Sequence, residues 1–248
     1  MLILLPPSES KTGRARGRAV THERLSFPEL SAMRHAVAGA LTEVSAEPDA
    51  AARLGVSPTL TAEIARNLVL HTAPASAASS VYSGVLYDAL DHAGLDRAAK
   101  RRANRWLVVV SALYGAVRPG DAIAPYRLSM AVNLPGVGSL ASAWRPHLER
   151  VLPQAAGRGL VVDCRSSTYA AAWAPGAELA QRWVRVRVPG ASHMAKHTRG
   201  LVARQLCVAG RDARRVPDLV PVLDDAFCVT LHEPERPGRP WVLDATVR

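Results

Sequence analysis

Of the chain's 31 basic residues, only Lys11, Lys100 and Lys196 are lysines, and the remainder are arginines. A compact ammonium is a point-charge donor that a planar guanidinium does not replace. Lys11 and Lys196 are therefore candidates for chemistry, catalytic or anion-binding, whereas Lys100 sits in an ordinary basic run. A base composition that swaps lysine for arginine wherever charge alone matters would leave the same trace. The second concentration of polar chemistry is Ser111 to Met130, SALYGAVRPGDAIAPYRLSM, which holds two of the five tyrosines. Tyr114 stands near Arg118 and Tyr126 beside Arg127, and Tyr114 joins the two lysines as a catalytic candidate. Pro119, Pro125, Gly115 and Gly120 exclude a long helix through this stretch. A strand that ends in a shaped loop of Tyr and Arg can build an anion site. A rigid turn with solvated arginines is the alternative.

Four segments each lie beside a predicted strand and carry polar groups: Ser8 to Lys11, Tyr114 to Arg127, Asp163 to Tyr169 and His193 to Arg199. Ligands of open α/β sheets gather at the carboxyl ends of strands, and the first three segments follow theirs. Together they offer Ser8, Lys11, Tyr114, Arg118, Tyr126, Arg127, Ser166, Tyr169, Lys196 and Arg199, a donor-rich set suited to phosphate or carboxylate. If Ser166 to Thr168 open a helix, their free amides add to it.

Cys164 with His193 or His197 as base would make a nucleophile pair, but a cysteine at a strand end is more often buried and inert. Asp163 is better placed as an acceptor that orders the cleft. His193 and His197 would share one face of a helix, yet no acidic metal signature accompanies them, so no metal and no cofactor is expected. Neither a P-loop nor a dinucleotide fingerprint is present. Leu134-Pro-Gly-Val-Gly138 before a helix is similar to the hairpin of helix-hairpin-helix DNA-binding modules. Pro125 and the Tyr126-Arg127 loop leave little room for the helix that motif needs first, which favours an ordinary glycine turn.

The elements that must hold these residues read as follows. Leu2 to Leu5, Trp106 to Val110 and Leu160 to Asp163 are short buried strands. Trp183 to Val188 alternates and reads as a half-exposed strand, and two more strands lie near Phe227 to Leu231 and Trp241 to Leu243. Ser26-Phe-Pro-Glu29 has the form of a capping box opening a helix with Leu30, Met33, Val37, Leu41 and Val44 in its stripe. Ser57-Pro58 opens another, with Leu60, Ile64 and Leu68 on one side. Ala73 to Ser80 reads as a linker or loop. Val81 to Gly84 leads into a helix ending near Gly94, Asp96 caps a basic helix from Arg97 to Arg105, and Leu140 to Val151 forms a further helix. His193 to Arg199 leads into a last one with Leu201, Val202 and Leu206. The pattern predicts a single mixed α/β domain over residues 1–248, a short mixed sheet surrounded by helices without regular Rossmann order.

The totals set limits. The chain has 248 residues, 48% of them hydrophobic, which is long enough for a substantial core. No apolar run reaches the ~20 residues of a membrane span, and the N-terminus lacks the basic and apolar regions of a secretory signal. Cys164, Cys207 and Cys228 form neither a disulfide framework nor a zinc pattern, which fits a reducing cytoplasm. The formal net charge of +10 points to a polyanionic partner, DNA or a small anionic ligand. The Arg97 to Arg105 run is the most basic patch, although such runs are often solvated faces. Nothing asks for a partner chain, and a monomer is favoured.

The motifs resemble one family. Ser111, Leu113-Tyr-Gly115, Val117-Arg-Pro119, Asp121, Pro125-Tyr-Arg-Leu128 and Met130 are similar to the LSGLYGVLRPLD…PYRLEMG pattern of the bacterial peroxide-stress protein YaaA family. The N-terminal MLILLPPSESK, with Lys11, resembles the family's start, and Val81-Tyr-Ser-Gly84 its VYTG. Ser166 and Tyr169 match N-L-A-S-x-E-Y, and Lys196, Arg199, Gly200 and Arg204 match K-x-A-R-G-x-x-x-R. This chain departs from the pattern at Asp163, Cys164, Thr168 and Ser129, where the family carries Asn, Leu, an acid and Glu. The resemblance implies a role in limiting intracellular iron damage during hydrogen peroxide stress and DNA binding through a positively charged cleft. It also adds Arg204 to the anion-binding set. The residues by themselves support an enzyme acting on a nucleotide or carboxylate as the alternative.

Overall fold

A computed structural model describes residues 1–190 and 194–248. Seven strands form one mixed sheet. They are β1 (Leu2–Leu5), β2 (Leu107–Ser111), β3 (Gly115–Val117), β4 (Val161–Asp163), β5 (Trp183–Arg187), β6 (Phe227–His232) and β7 (Trp241–Val247). Their spatial order is β6-β7-β5-β4-β1-β2-β3. The five inner strands run parallel, and the edges β3 and β6 are antiparallel. Every residue of β1 and β2 is buried, which is why LILL and LVVVS are continuous apolar runs: a parallel strand covered on both faces has no solvent side to alternate toward.

Six longer helices accompany the sheet: α1 (Ser31–Ala46), α2 (Thr61–Leu68), α3 (Val85–Leu90), α4 (Arg97–Trp106), α5 (Leu140–Ala156) and α6 (Met194–Ala209). Asp96 caps α4 by accepting from the Ala99 amide. Trp144, Leu148 and Val151 are buried along α5. The Trp144 indole donates to the Ala112 carbonyl at 2.8 Å and lies over Gly115. Gly115 has φ +71, and a Cβ there would stand 2.5 Å from the Trp144 ring. Gly115→Ala is expected to cost about 2–3 kcal/mol in a urea denaturation series, through left-handed strain and overpacking. A change within experimental error would show that the indole yields freely.

Several local expectations are corrected by long-range contacts. The capping box at Ser26 does not form, because the Ser26 amide and hydroxyl both donate to Asp121 Oδ1 at 2.9 Å. Phe27 then takes a left-handed φ of 62, and the helix proper starts at Ser31. Its stripe holds, with Leu30, Val37, Leu41 and Val44 buried. In α2 the inward face carries Ile64 and Asn67, while Leu68 is exposed, because the Asn67 amide is engaged with another loop. Ala73 to Ser80 is not a linker: Ser76–Ala77 pairs antiparallel with Ala122–Ile123, and a helical turn spans Ala78–Val81. The Trp183 strand keeps the expected alternation, with Val184 and Val186 buried, Arg185 partly exposed and Arg187 exposed, although β7 returns to pair with it in parallel and makes it an inner strand. Leu134 to Gly138 closes a small hairpin between Asn133–Leu134 and Gly138–Ser139. No helix lies in residues 122–132, so the helix-hairpin-helix arrangement lacks its first helix.

Candidate functional site

The chain leaves β1 at Pro6-Pro7 and turns across the carboxyl ends of the parallel strands. There a cleft of about 650 Å³ opens, lined by Ser8, Glu9, Lys11, Arg127, Ser166, Tyr169, Lys196 and Arg199 among others. All four polar segments contribute to it.

Lys11 forms the deep end. It is only 6% exposed, and its backbone is held by a bridge to Tyr82 and by the Arg66 guanidinium on its carbonyl at 2.8 Å. Its Nζ donates to the Ser8 carbonyl at 2.6 Å and the Glu9 carbonyl at 3.5 Å, and lies 4.1 Å from the centre of the Tyr126 ring. Burial pushes this amine down to about 7. Arg127 adds to the shift, Glu9 opposes it and Arg66 adds slightly. An ammonium on an aromatic face is attracted by the ring quadrupole, but here desolvation wins because no carboxylate among the described residues pairs with Nζ.

Tyr126 is the floor beneath Lys11. Its hydroxyl meets Ser111 Oγ at 2.7 Å and Tyr82 OH at 3.3 Å, so the motif's strand end and its loop are tied together under the cleft. Burial holds the Tyr126 and Tyr82 phenols well above their ordinary values, which keeps them neutral donors. Arg127 follows directly, and its backbone is clamped by Asn67, which donates to its carbonyl at 2.9 Å and accepts from its amide at 2.8 Å. The guanidinium then lies on the rim, 3.4 Å from the Glu9 carbonyl and 4.0 Å from the Glu9 carboxylate.

The opposite wall comes off β4 and α6. Arg165, wholly buried, forms a two-pronged ion pair with Asp163 at 2.8 Å and donates to the Tyr169 and Trp173 carbonyls. This pins the turn that presents Ser166 and Tyr169. Ser166 precedes a single helical turn, Ser167–Ala170, and its hydroxyl makes no cap bond. Arg199 is braced by the Val186 carbonyl at 3.3 Å, and Lys196, largely exposed, reaches Glu9 at 3.4 Å. Glu9 thus spans the mouth between Arg127 and Lys196.

Three expected site residues are placed elsewhere. Tyr114 is buried, and its hydroxyl bonds both the carbonyl and the amide of Ala124. Arg118 lies over Phe27 and donates to the Asn104 and Arg105 carbonyls at the end of α4. Arg204 ties down the end of α3 through the Leu90 and Asp91 carbonyls and the Asp91 carboxylate. Cys164 is fully buried, with burial pushing its thiol up to about 12, so it is no nucleophile. His193 lies outside the described residues. Among the described residues no group of three or more His, Cys, Asp or Glu side chains could hold a metal, and no helix is long and apolar enough to cross a membrane.

Sequence reasoning missed Glu9, Asn67 and the buried arginines Arg34 and Arg165. Arg34 carried a signal, since it stands in register with Leu30, Val37 and Leu41.

A family model described as peroxide stress protein YaaA matches residues 1–225. The chain belongs to the YaaA family. Its relatives carry the designation UPF0246. One from Streptomyces coelicolor is 48% identical, over 100% of this chain and 98% of its own. One from Corynebacterium efficiens is 40% identical over 86% and 87% of the two chains, and one from Corynebacterium glutamicum is 34% identical over 94% and 96%. YaaA is a family of peroxide stress proteins, and the motif stretch that marked the resemblance supplies both Tyr126, the ring beneath Lys11, and Arg127, on the rim of the cleft.

Proposed function

We propose that this protein binds DNA in the cleft at the carboxyl ends of its sheet, and that through this it limits iron-dependent damage during peroxide stress in the cytoplasm. We treat residues 1–248 as one functional domain acting as a monomer. The observation that carries the reading is the facing of Arg127 on one wall by Lys196 and Arg199 on the other, in a chain of net charge +10. Phosphate groups are the natural occupants of such a set. Titration with duplex DNA at rising salt tests it. With three rim cations engaged, log K is expected to fall against log salt with a slope of about −3, and each Ala replacement should remove about one unit. No binding near physiological salt, or binding insensitive to salt, would sink the proposal.

A second reading, an enzyme acting on a small anionic substrate, is favoured by the burial of Lys11. A residue that only neutralises phosphate gains nothing from desolvation. Lys11→Arg and Lys196→Arg discriminate the two in a peroxide-survival assay. Full function in both variants is the outcome expected of spread charge, and loss with Lys11→Arg alone is that expected of a chemical pocket.

A further inference from the structure

We propose that Lys11 is a nucleophilic amine that forms an imine with a carbonyl compound whose phosphate is held by the cleft's rim cations. The inference rests on the reading of this cleft as an anion site and adds what is done there.

Three features of the deep end carry it. First, the partners of Nζ are two carbonyl oxygens, of Ser8 and Glu9, and the face of Tyr126. A neutral amine has two N–H bonds, which suffice for two carbonyls, and its lone pair stays unengaged. A lysine kept as a structural cation would be expected to face a carboxylate, yet the Glu9 carboxylate is spent on Lys196 and Arg127 instead. Second, the residue type is specific. Arginine stacks on aromatic rings and donates to carbonyls at least as well as lysine, and this chain uses arginine for nearly all its positive charge. What arginine cannot do is lose its proton and attack a carbonyl carbon. Third, an anion site adjoins the amine: Arg127 Nη1 and Lys11 Nζ both reach the same Glu9 carbonyl oxygen. A phosphate on the rim and a carbonyl at the deep end are therefore within the span of one small molecule or one sugar residue.

The groups that face Nζ set its protonation. Burial, Arg127 and Arg66 favour the neutral form and Glu9 opposes them, while Tyr82 and Tyr126 are buried neutral phenols. Near neutral pH a large fraction of the amine is unprotonated, which is how a desolvated lysine becomes a nucleophile. The step balances without any further reagent. The lone pair forms the N–C bond as the carbonyl π bond opens to a carbinolamine. The two amine hydrogens then leave with the former carbonyl oxygen as water, and the C=N bond remains.

Two sources share this chemistry: a free sugar phosphate, and the ring-opened deoxyribose of an abasic site, an aldehyde between two phosphates of a DNA strand. The test uses glyceraldehyde 3-phosphate in one arm and a duplex with a single abasic site in the other. Both arms include cyanoborohydride, which reduces the imine to a stable secondary amine, and the modified peptides are mapped by mass. The wild-type chain is expected to carry the adduct on Lys11 about tenfold ahead of Lys100 and Lys196 near neutral pH, with the rate rising through pH of about 7. Modification in only one arm identifies the source. No Lys11 adduct in either arm, or labelling of Lys11 no faster than of the other lysines, overturns the proposal. Duplex binding is read in the same samples. Duplex binding with no Lys11 adduct in either arm would refute the imine and leave the DNA reading standing, whereas an adduct with glyceraldehyde 3-phosphate without duplex binding would do the reverse.

Discussion

Replacing Arg34 with methionine is expected to lower stability by on the order of 4 kcal/mol, read as a shift of the urea midpoint. Arg34 is fully buried, and its guanidinium donates to four carbonyls: Tyr114 at 2.9 Å, His22 at 3.0 Å, Ser26 at 2.7 Å and Ala116 at 3.0 Å. These carbonyls belong to the N-terminal loop, to the β2–β3 turn and to β3, which this side chain's fork ties together beside the His22–Tyr114 ring contact. Burial pulls Arg34 down to about 10, with Asp121 opposing, so it is still charged at neutral pH and each bond is charge-assisted. Methionine fills much of the volume and donates nothing, leaving buried acceptors without their strongest donor. Arg34→Lys should recover less than half of the loss, because one ammonium cannot span four carbonyls. A loss below about 1 kcal/mol in the methionine variant would mean that those carbonyls find water or other donors. Domain stabilities are commonly 5–15 kcal/mol, so the expected loss brings the protein close to unfolding at physiological temperature.

The second large effect is expected at Asp163→Asn, about 3–5 kcal/mol, because it leaves the Arg165 charge buried without its counter-ion. Asp163 accepts from Arg165 Nε and Nη2 at 2.8 Å, from the Arg165 amide at 3.0 Å and from the Trp183 indole at 3.3 Å. Burial raises its pKa, but the charge of Arg165 and the bonds it donates outweigh this and hold the carboxyl below the ordinary carboxylate value. A depressed folded pKa means that the pair's contribution is fully present above the unfolded carboxylate value. It is lost as pH falls through the lower, folded value. The double replacement Asp163→Leu with Arg165→Met should restore most of the stability, since neither charge then remains buried. The turn bearing Ser166 and Tyr169 hangs from Arg165, so the single variant should also weaken anion binding in the cleft. Intact binding in a destabilised Asp163→Asn protein would separate the support of the fold from that of the site.

Much of the strand and helix inventory was legible because it rests on local pattern. The apolar runs at Leu2, Leu107 and Val161 are strands buried on both faces, and Asp96 caps α4 within its own turn. The errors share one physical origin. Ser26 has the local partners of a capping box but meets Asp121 across 95 positions, and Leu68 has the right spacing for a core stripe but yields to Asn67. A local preference is worth about 1 kcal/mol, which a long-range contact readily overrides.

By itself the sequence determined the chemistry on offer: a composition 48% hydrophobic, a surplus of cations, two lysines spared from replacement by arginine, and the motif that marks the family. It could not determine which of these groups share a space. Tyr114, Arg118 and Arg127 lie within fourteen positions of one motif, yet Arg127 lines the cleft, Tyr114 is core and Arg118 ties down the end of α4. Only the tertiary structure decided this, since the direction of a side chain leaving a loop is set by what that loop packs against. The same holds for Lys11: its type was visible in the sequence, but its desolvation on the Tyr126 ring exists only once β1, the motif loop and Tyr82 have closed around it.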